Sequence, residues 1–134
     1  MPMVTVEYPA GRLSAKQKSE LAEELTRVLL EIEGGCDKPF CRAGSWVRFR
    51  EVAREDWFVG GVNDGTYVSA SGLFLVEIYV PAGLLDQHNK SRAHEAANDA
   101  IARVTGVDVL ATRSVWIQVF EWPKGALASG GYTQ

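Results

Sequence analysis

The chain has 134 residues, of which 46% are hydrophobic and 23% charged, as in a single globular domain rather than a disordered or fibrous protein. Its net charge of −3, with acids and bases mixed along the chain, argues against nucleic acid or an acidic membrane as a partner. No apolar run approaches the roughly 18 residues of a transmembrane helix, and the N-terminus does not resemble a signal peptide. We therefore expect a cytoplasmic protein that binds neither nucleic acid nor membrane.

Pro2 stands directly before MVTVEY, a β-branched run that predicts a short strand. Proline has no N–H to give to a sheet, so one interpretation is that Pro2 simply begins the strand. The other is that Met1 is removed and that Pro2 becomes a free secondary amine. Residues 1–8 alone do not decide between these two interpretations.

A helix is predicted after the Pro-Ala-Gly stop signal that ends this strand. Ser14 and Gln17 have the spacing of a capping box, and Gly34 is a natural C-terminal stop. One apolar stripe recurs at helical spacing between them, and it comprises Leu21, Leu25, Val28 and Ile32.

Two cysteines follow in the loop GGCDKPFCRAG. Cys36 and Cys41 lack the two further ligands that a zinc site needs, and His88 and His94 lie in another segment. We expect free thiols here and no metal site.

The second half of the chain repeats the first. An offset of 72 residues aligns Pro9 with Pro81 and Gly34 with Gly106, and an offset of 70 then aligns Trp46 with Trp116. The second helix carries alanines where the first carries leucines, and its stripe is Ala93, Ala97, Ala100 and Val104. We expect one domain, residues 1–134, made of two repeats at about 1–61 and 73–131.

Each repeat reads as strand, helix, strand, which implies a parallel strand pair with a right-handed crossover. Two such units predict an α+β (α/β) fold with a four-stranded mixed sheet and both helices on one face. The other sheet face carries Val, Phe and Trp residues and needs a partner, so a homo-oligomer is expected.

These features together resemble the tautomerase superfamily, in its 4-oxalocrotonate tautomerase-like form. The resemblance rests on Pro2, on Arg12 in AGRLS, and on EVAREDWFVGG at 51–61, which resembles the hairpin of that family. The double repeat and WFVGGV resemble the longer members, including the cis-3-chloroacrylate dehalogenase group. The resemblance covers nearly the whole chain and implies a homotrimer without metal or organic cofactor.

The resemblance also implies an active site. Pro2 would act as a general base through its ring nitrogen, and Arg12 would bind the carboxylate of a small-molecule carboxylic acid substrate. The family's second arginine position falls on Trp46, which is therefore a candidate substrate-binding residue. Arg48, two residues further along the strand, is the candidate replacement for the arginine. Trp57 matches the family aromatic at the pocket wall, and its alternative role is to anchor the hairpin.

The dehalogenase group's further residues are replaced here. Leu84 stands at one of its arginine positions, and Phe74 occupies the position in the second repeat that is equivalent to Pro2. The sequence therefore allows one proline site per chain.

Three functions are compatible with these residues. The first is a proline-based tautomerase (an isomerase) that acts on a small 2-oxo or enol acid. The second is a hydratase or decarboxylase of a small unsaturated or 3-oxo acid, which would need a water-activating acid from Glu7, Glu77 or Glu121. The third is a non-catalytic α/β binding or assembly module.

Overall fold

The computed structural model describes residues 2–133. Met1, whose removal the proline-base interpretation requires, and Gln134 lie outside the described residues. Four strands form one mixed sheet: β1 (Met3–Pro9), β2 (Trp46–Val52), β3 (Phe74–Pro81) and β4 (Val115–Trp122). They are ordered β2-β1-β3-β4. The β1–β2 and β3–β4 pairs are parallel, and β1 and β3 are antiparallel at the centre, which confirms the predicted mixed sheet.

Each parallel pair is connected through a long helix, α1 (Ala15–Ile32) in the first repeat and α3 (Gln87–Thr105) in the second, and shorter helices α2 (Pro39–Ala43) and α4 (Val109–Thr112) follow them. The long helices pack against each other. One face of the sheet shares their core, which includes Val4, Val6, Tyr8, Val76, Ile78 and Val80.

The starts of both long helices and the end of α3 follow the sequence signals. Ser14 Oγ accepts a hydrogen bond from Gln17 N at 3.1 Å, and Gln17 Oε1 accepts one from Ser14 N at 3.0 Å, so the capping box is complete. Asp86 Oδ1 accepts from Asn89 N at 2.8 Å at the start of α3. Gly106 ends α3 with φ +75°, a left-handed conformation that glycine adopts without steric cost.

The buried faces of the two helices differ in side-chain size. Leu21, Leu25, Leu29 and Leu30 are buried on α1, whereas Val28 and Ile32 pack at the edge of the core. The predicted alanine stripe of α3 is buried at positions 93, 97 and 100, together with Ile101.

The opposite side of the sheet, which we call the open face, carries the alternate residues of each strand. Three large aromatic side chains on it are exposed: Trp46 (58%), Trp116 (65%) and Phe120 (40%). The Tyr79 ring stacks on Phe120, with the two centroids 5.0 Å apart. This face has no covering layer within the described chain.

The prediction of free thiols is wrong, because Cys36 and Cys41 form a disulfide, with their Cα atoms 6.2 Å apart. The segment between α1 and β2 includes α2, begun by Pro39, and this short helix brings the second cysteine back toward the first. Arg42 also binds Glu23 of α1 at 2.8 Å. Between the aligned Gly34 and Trp46 the chain has two residues more than between Gly106 and Trp116, which accounts for the change in repeat offset from 72 to 70.

Each repeat ends in a tight turn beyond its second strand. Val59 and Val62 bridge each other around Gly60 and Gly61 in the first repeat. The second repeat ends in a two-stranded hairpin, β5 (Ala128–Ser129) and β6 (Tyr132–Thr133). No helix within residues 2–133 is both long enough and apolar enough to cross a membrane.

Candidate active site

Pro2 lies directly before β1, and its side chain is fully buried. Its carbonyl oxygen accepts a hydrogen bond from the backbone N–H of Trp46 at 3.1 Å, which fixes it beside the first residue of β2. Pro2 and Trp46, two of the predicted site residues, are therefore neighbours.

Arg12 lies at the other end of β1. Its Nε donates to Ser71 O at 2.7 Å and its Nη2 to Thr105 O at 3.2 Å, while the guanidinium lies 5.5 Å from the centre of the Phe74 ring. At about 3.3 Å per residue, the seven residues of β1 separate Pro2 from this turn by more than roughly 20 Å. One chain alone does not bring Pro2 and Arg12 together.

The antiparallel pairing of β1 with β3 explains this placement. Met3 is in register with Tyr79 and Glu7 with Leu75, so the end of β1 lies beside the beginning of β3. The turn after each first strand thus faces the start of the other repeat. Arg12 reaches Phe74, the counterpart of Pro2.

Arg48 lies on the open face of β2, opposite Thr5 of β1. Its Nη2 donates to Thr5 Oγ1 at 3.3 Å, and the residue is otherwise exposed. The indole N–H of Trp46 donates to Ala43 O at 3.1 Å. The Arg48 guanidinium is available on a surface that another chain could cover, but within its own chain it contacts Thr5 rather than Pro2.

The three carboxylates considered for water activation all have partners. Glu7 pairs with Arg50 at 3.3 Å, and Glu121 with Lys90 at 3.0 Å. Glu77 Oε2 accepts a hydrogen bond from Tyr79 at 2.8 Å, which raises the pKa of the Tyr79 hydroxyl. These contacts favour structural roles for all three.

Trp57 lies at the Arg12 end of the sheet, where it lines a cavity of about 740 Å³ together with Phe74. Arg113, Asp56 and Ser114 also line this cavity, and the sequence analysis did not select any of them. These three residues line one cavity because the hairpin after β2 lies close to the starts of β3 and β4. No local sequence motif signals that long-range contact. Within residues 2–133, no group of three or more His, Cys, Asp or Glu side chains could hold a metal ion.

Comparison with known proteins shows which family the first repeat matches and which solved structures share the fold of the whole chain. The tautomerase enzyme family matches residues 2–66, a span that begins at Pro2 and includes Arg12, Arg48 and Trp57. The first repeat of the chain thus belongs to the tautomerase family. Among curated proteins, no sequence matches the chain.

Three solved structures illustrate the similarity of fold, and each alignment covers 98% of the present chain. R7 fused 4-OT, an asymmetric trimer, has a TM-score of 0.78 and 19% identity over 94% of its length. N1, of the cis-3-chloroacrylic acid dehalogenase family, has a TM-score of 0.79 and 19% identity over 82% of its length. Pt0534 inactivated by 2-oxo-3-pentynoate has a TM-score of 0.78 and 17% identity over 94% of its length. At these identities the structures establish a shared fold, that of the fused, two-repeat tautomerases.

Proposed function

We propose that this tautomerase-superfamily protein is an isomerase whose base is the ring nitrogen of Pro2, exposed by removal of Met1. The observation that carries the proposal is the burial of Pro2 at the start of a central strand, within the segment that matches the family. An α-amino group ordinarily has a pKa of about 7.7–8.0, and burial in apolar surroundings lowers it. The neutral amine would then be available near pH 7.

The proposed reaction moves one proton within a small 2-oxo or enol carboxylic acid. The Pro2 nitrogen takes the proton from an enol O–H or an acidic C–H, and the electron pair left behind delocalises over the carbonyl system. The resulting ammonium returns the proton to another atom of the same substrate, so substrate and product are isomers. No metal or organic cofactor takes part in this proposal.

A cation must stabilise the negative charge that develops on the substrate. Because Arg12 lies far from Pro2 in its own chain, we propose that neighbouring chains of a homotrimer complete the site. The open face carries exposed aromatic side chains as well as Arg48, and R7 fused 4-OT is a trimer. Packing of this face against a second chain would bring Arg48 to an intermolecular boundary and would bury the Trp46 indole there.

The first test is chemical labelling of the untagged protein with 2-oxo-3-pentynoate, the compound that inactivates Pt0534. A secondary amine adds across the conjugated triple bond, and no atom is lost. The intact mass should therefore increase by one reagent molecule per chain, with the label located on Pro2 after proteolysis. A protein that retains Met1 presents an amide nitrogen at Pro2 and should not be labelled there.

The second test is turnover of phenylenolpyruvate and 2-hydroxymuconate. Loss of a general base costs about 10²–10⁴-fold in rate, so Pro2→Ala should lose that much of kcat/KM while keeping its assembly. Pro123→Ala, which alters an exposed proline after β4, is the matched control and should keep full activity. Unchanged turnover in Pro2→Ala would remove Pro2 as the base. Retention of Met1 in the native protein would favour the non-catalytic binding module.

A further inference from the structure

The cavity at the Arg12 end of the sheet, here called the Phe74-end cavity, is a second candidate site that is separate from Pro2. It lies between the hairpin after β2 and the starts of β3 and β4, and its volume of about 740 Å³ falls in the range of small-molecule sites. Phe74 takes the place of a proline here and its nitrogen is a main-chain amide, so proline-based catalysis does not apply at this end.

Aromatic side chains form much of the wall. Trp57, Phe58 and Trp116 line the cavity. Phe58 is 59% exposed, whereas Trp116 also belongs to the open face that the proposed trimer would cover. Large apolar rings left exposed around a concave surface typically mark a binding site. They would accommodate the apolar body of a ligand, and an aromatic ring stacks on them favourably.

Two opposite charges line the same cavity. Across residues 2–133, neither the Arg113 guanidinium nor the Asp56 carboxylate has a hydrogen-bond or ion-pair partner, and the two do not bind each other. Glu7 also lines the cavity, but Arg50 neutralises it at 3.3 Å. The unpaired charges are therefore one cation and one anion.

Arg113 and Ser114 have further features of a binding site. Arg113 has φ +47° and is the sole non-glycine residue with a positive φ in the described part of the chain, a strained conformation of the kind that functional sites retain. Ser114 is only 5% exposed, and its Oγ has no hydrogen-bond partner in the structure. A buried hydroxyl without a partner is unusual in a folded protein and is a candidate contact for a ligand.

We propose that the Phe74-end cavity binds a small zwitterion with an apolar body, such as an aromatic α-amino acid. The ligand carboxylate would pair with Arg113, its ammonium group with Asp56, and its ring with the tryptophans. A pure carboxylate would leave Asp56 as a repulsive charge, and a pure amine would leave Arg113 unpaired, so the zwitterion matches both.

The test is calorimetric titration of the untagged protein with L-phenylalanine, 3-phenylpropionate and 2-phenylethylamine. The second compound lacks the ammonium group and the third lacks the carboxylate. Arg113→Gln and Asp56→Asn each remove one charge with little change in shape. Arg92→Gln and Asp99→Asn remove the same charges from exposed positions on α3 and are the matched controls.

L-Phenylalanine should bind saturably, and Arg113→Gln and Asp56→Asn should each weaken it about tenfold or more, as expected for a charge-assisted hydrogen bond. Arg113→Gln should weaken 3-phenylpropionate but not 2-phenylethylamine, and Asp56→Asn should do the reverse. The controls should bind as the wild type does.

The proposal is overturned if L-phenylalanine does not bind at millimolar concentration, or if the two cavity variants bind it as the controls do. It is also overturned if 3-phenylpropionate binds as tightly as L-phenylalanine and Asp56→Asn has no effect. In that case the cavity would be a carboxylate site.

Discussion

At the scale of single residues, Pro2 and Arg12 illustrate how position determines chemistry. Both lie within the span that matches the tautomerase family, yet the antiparallel β1–β3 pairing places them at opposite ends of the sheet. Arg12 donates to two main-chain carbonyl oxygens and lies over Phe74. Within its own chain, Arg12 thus joins the turn after β1 to the second repeat.

The Ser14 cap allows a residue-scale prediction of stability. Ser14→Ala removes the acceptor for the N–H of Gln17, and loss of such a cap costs about 1 kcal/mol. Urea unfolding monitored by circular dichroism should show that decrease in the free energy of unfolding. Ser19→Ala, at an exposed position within the same helix, is the control and should change stability by less than about 0.5 kcal/mol. Equal effects of the two variants would contradict the role of the cap.

At the scale of elements, the sequence predicted the parts that depend on local pattern. The two β-α-β units, the capping box and the glycine stop after α3 follow from spacing over a few residues, and the structure confirms them. The disulfide could not be foreseen, because a C-x4-C spacing fits free thiols equally well until α2 brings Cys41 toward Cys36. The Phe74-end cavity was missed for a related reason, since only long-range packing brings Asp56 and Arg113 to the wall of the same cavity.

The disulfide gives a prediction for the segment between α1 and β2. Closing so short a loop restricts the unfolded chain, and the loop-entropy relation gives about 2 kcal/mol of stabilisation. Adding a reductant should lower the free energy of unfolding by about that amount in a urea titration. The double variant Cys36→Ser, Cys41→Ser should match the reduced protein and should not respond to reductant. If reductant leaves the wild type unchanged, the thiols are free in the protein.

At the scale of the whole molecule, one side of the sheet forms the core with the helices and the other side is open. Alternation along each strand made both faces predictable from the sequence, because successive side chains point to opposite sides. The open face combines exposed Trp46, Trp116 and Phe120 with charged residues. Only a second chain could cover this face, and the structure describes one chain, so the homotrimer stays a proposal.

The homotrimer proposal predicts the effect of a charge on the open face. Phe120→Glu places a carboxylate where the proposed interface is apolar, and an unpaired charge buried there is costly, so the trimer should dissociate. Light scattering coupled to size-exclusion chromatography measures the mass of the assembly. Leu110→Glu, at an exposed apolar position on α4, is the control and should leave the mass unchanged. A monomeric wild type would contradict the proposal.

The covalent link between the repeats affects how this protein can vary. If two identical single-repeat chains formed the same sheet, every substitution would appear at both ends at once. Here Phe74 and Pro2 occupy equivalent positions, and either can change without the other. An engineer could thus redesign the Arg12 end for a new ligand while the Pro2 end keeps its own residues, an independence that a symmetric dimer lacks.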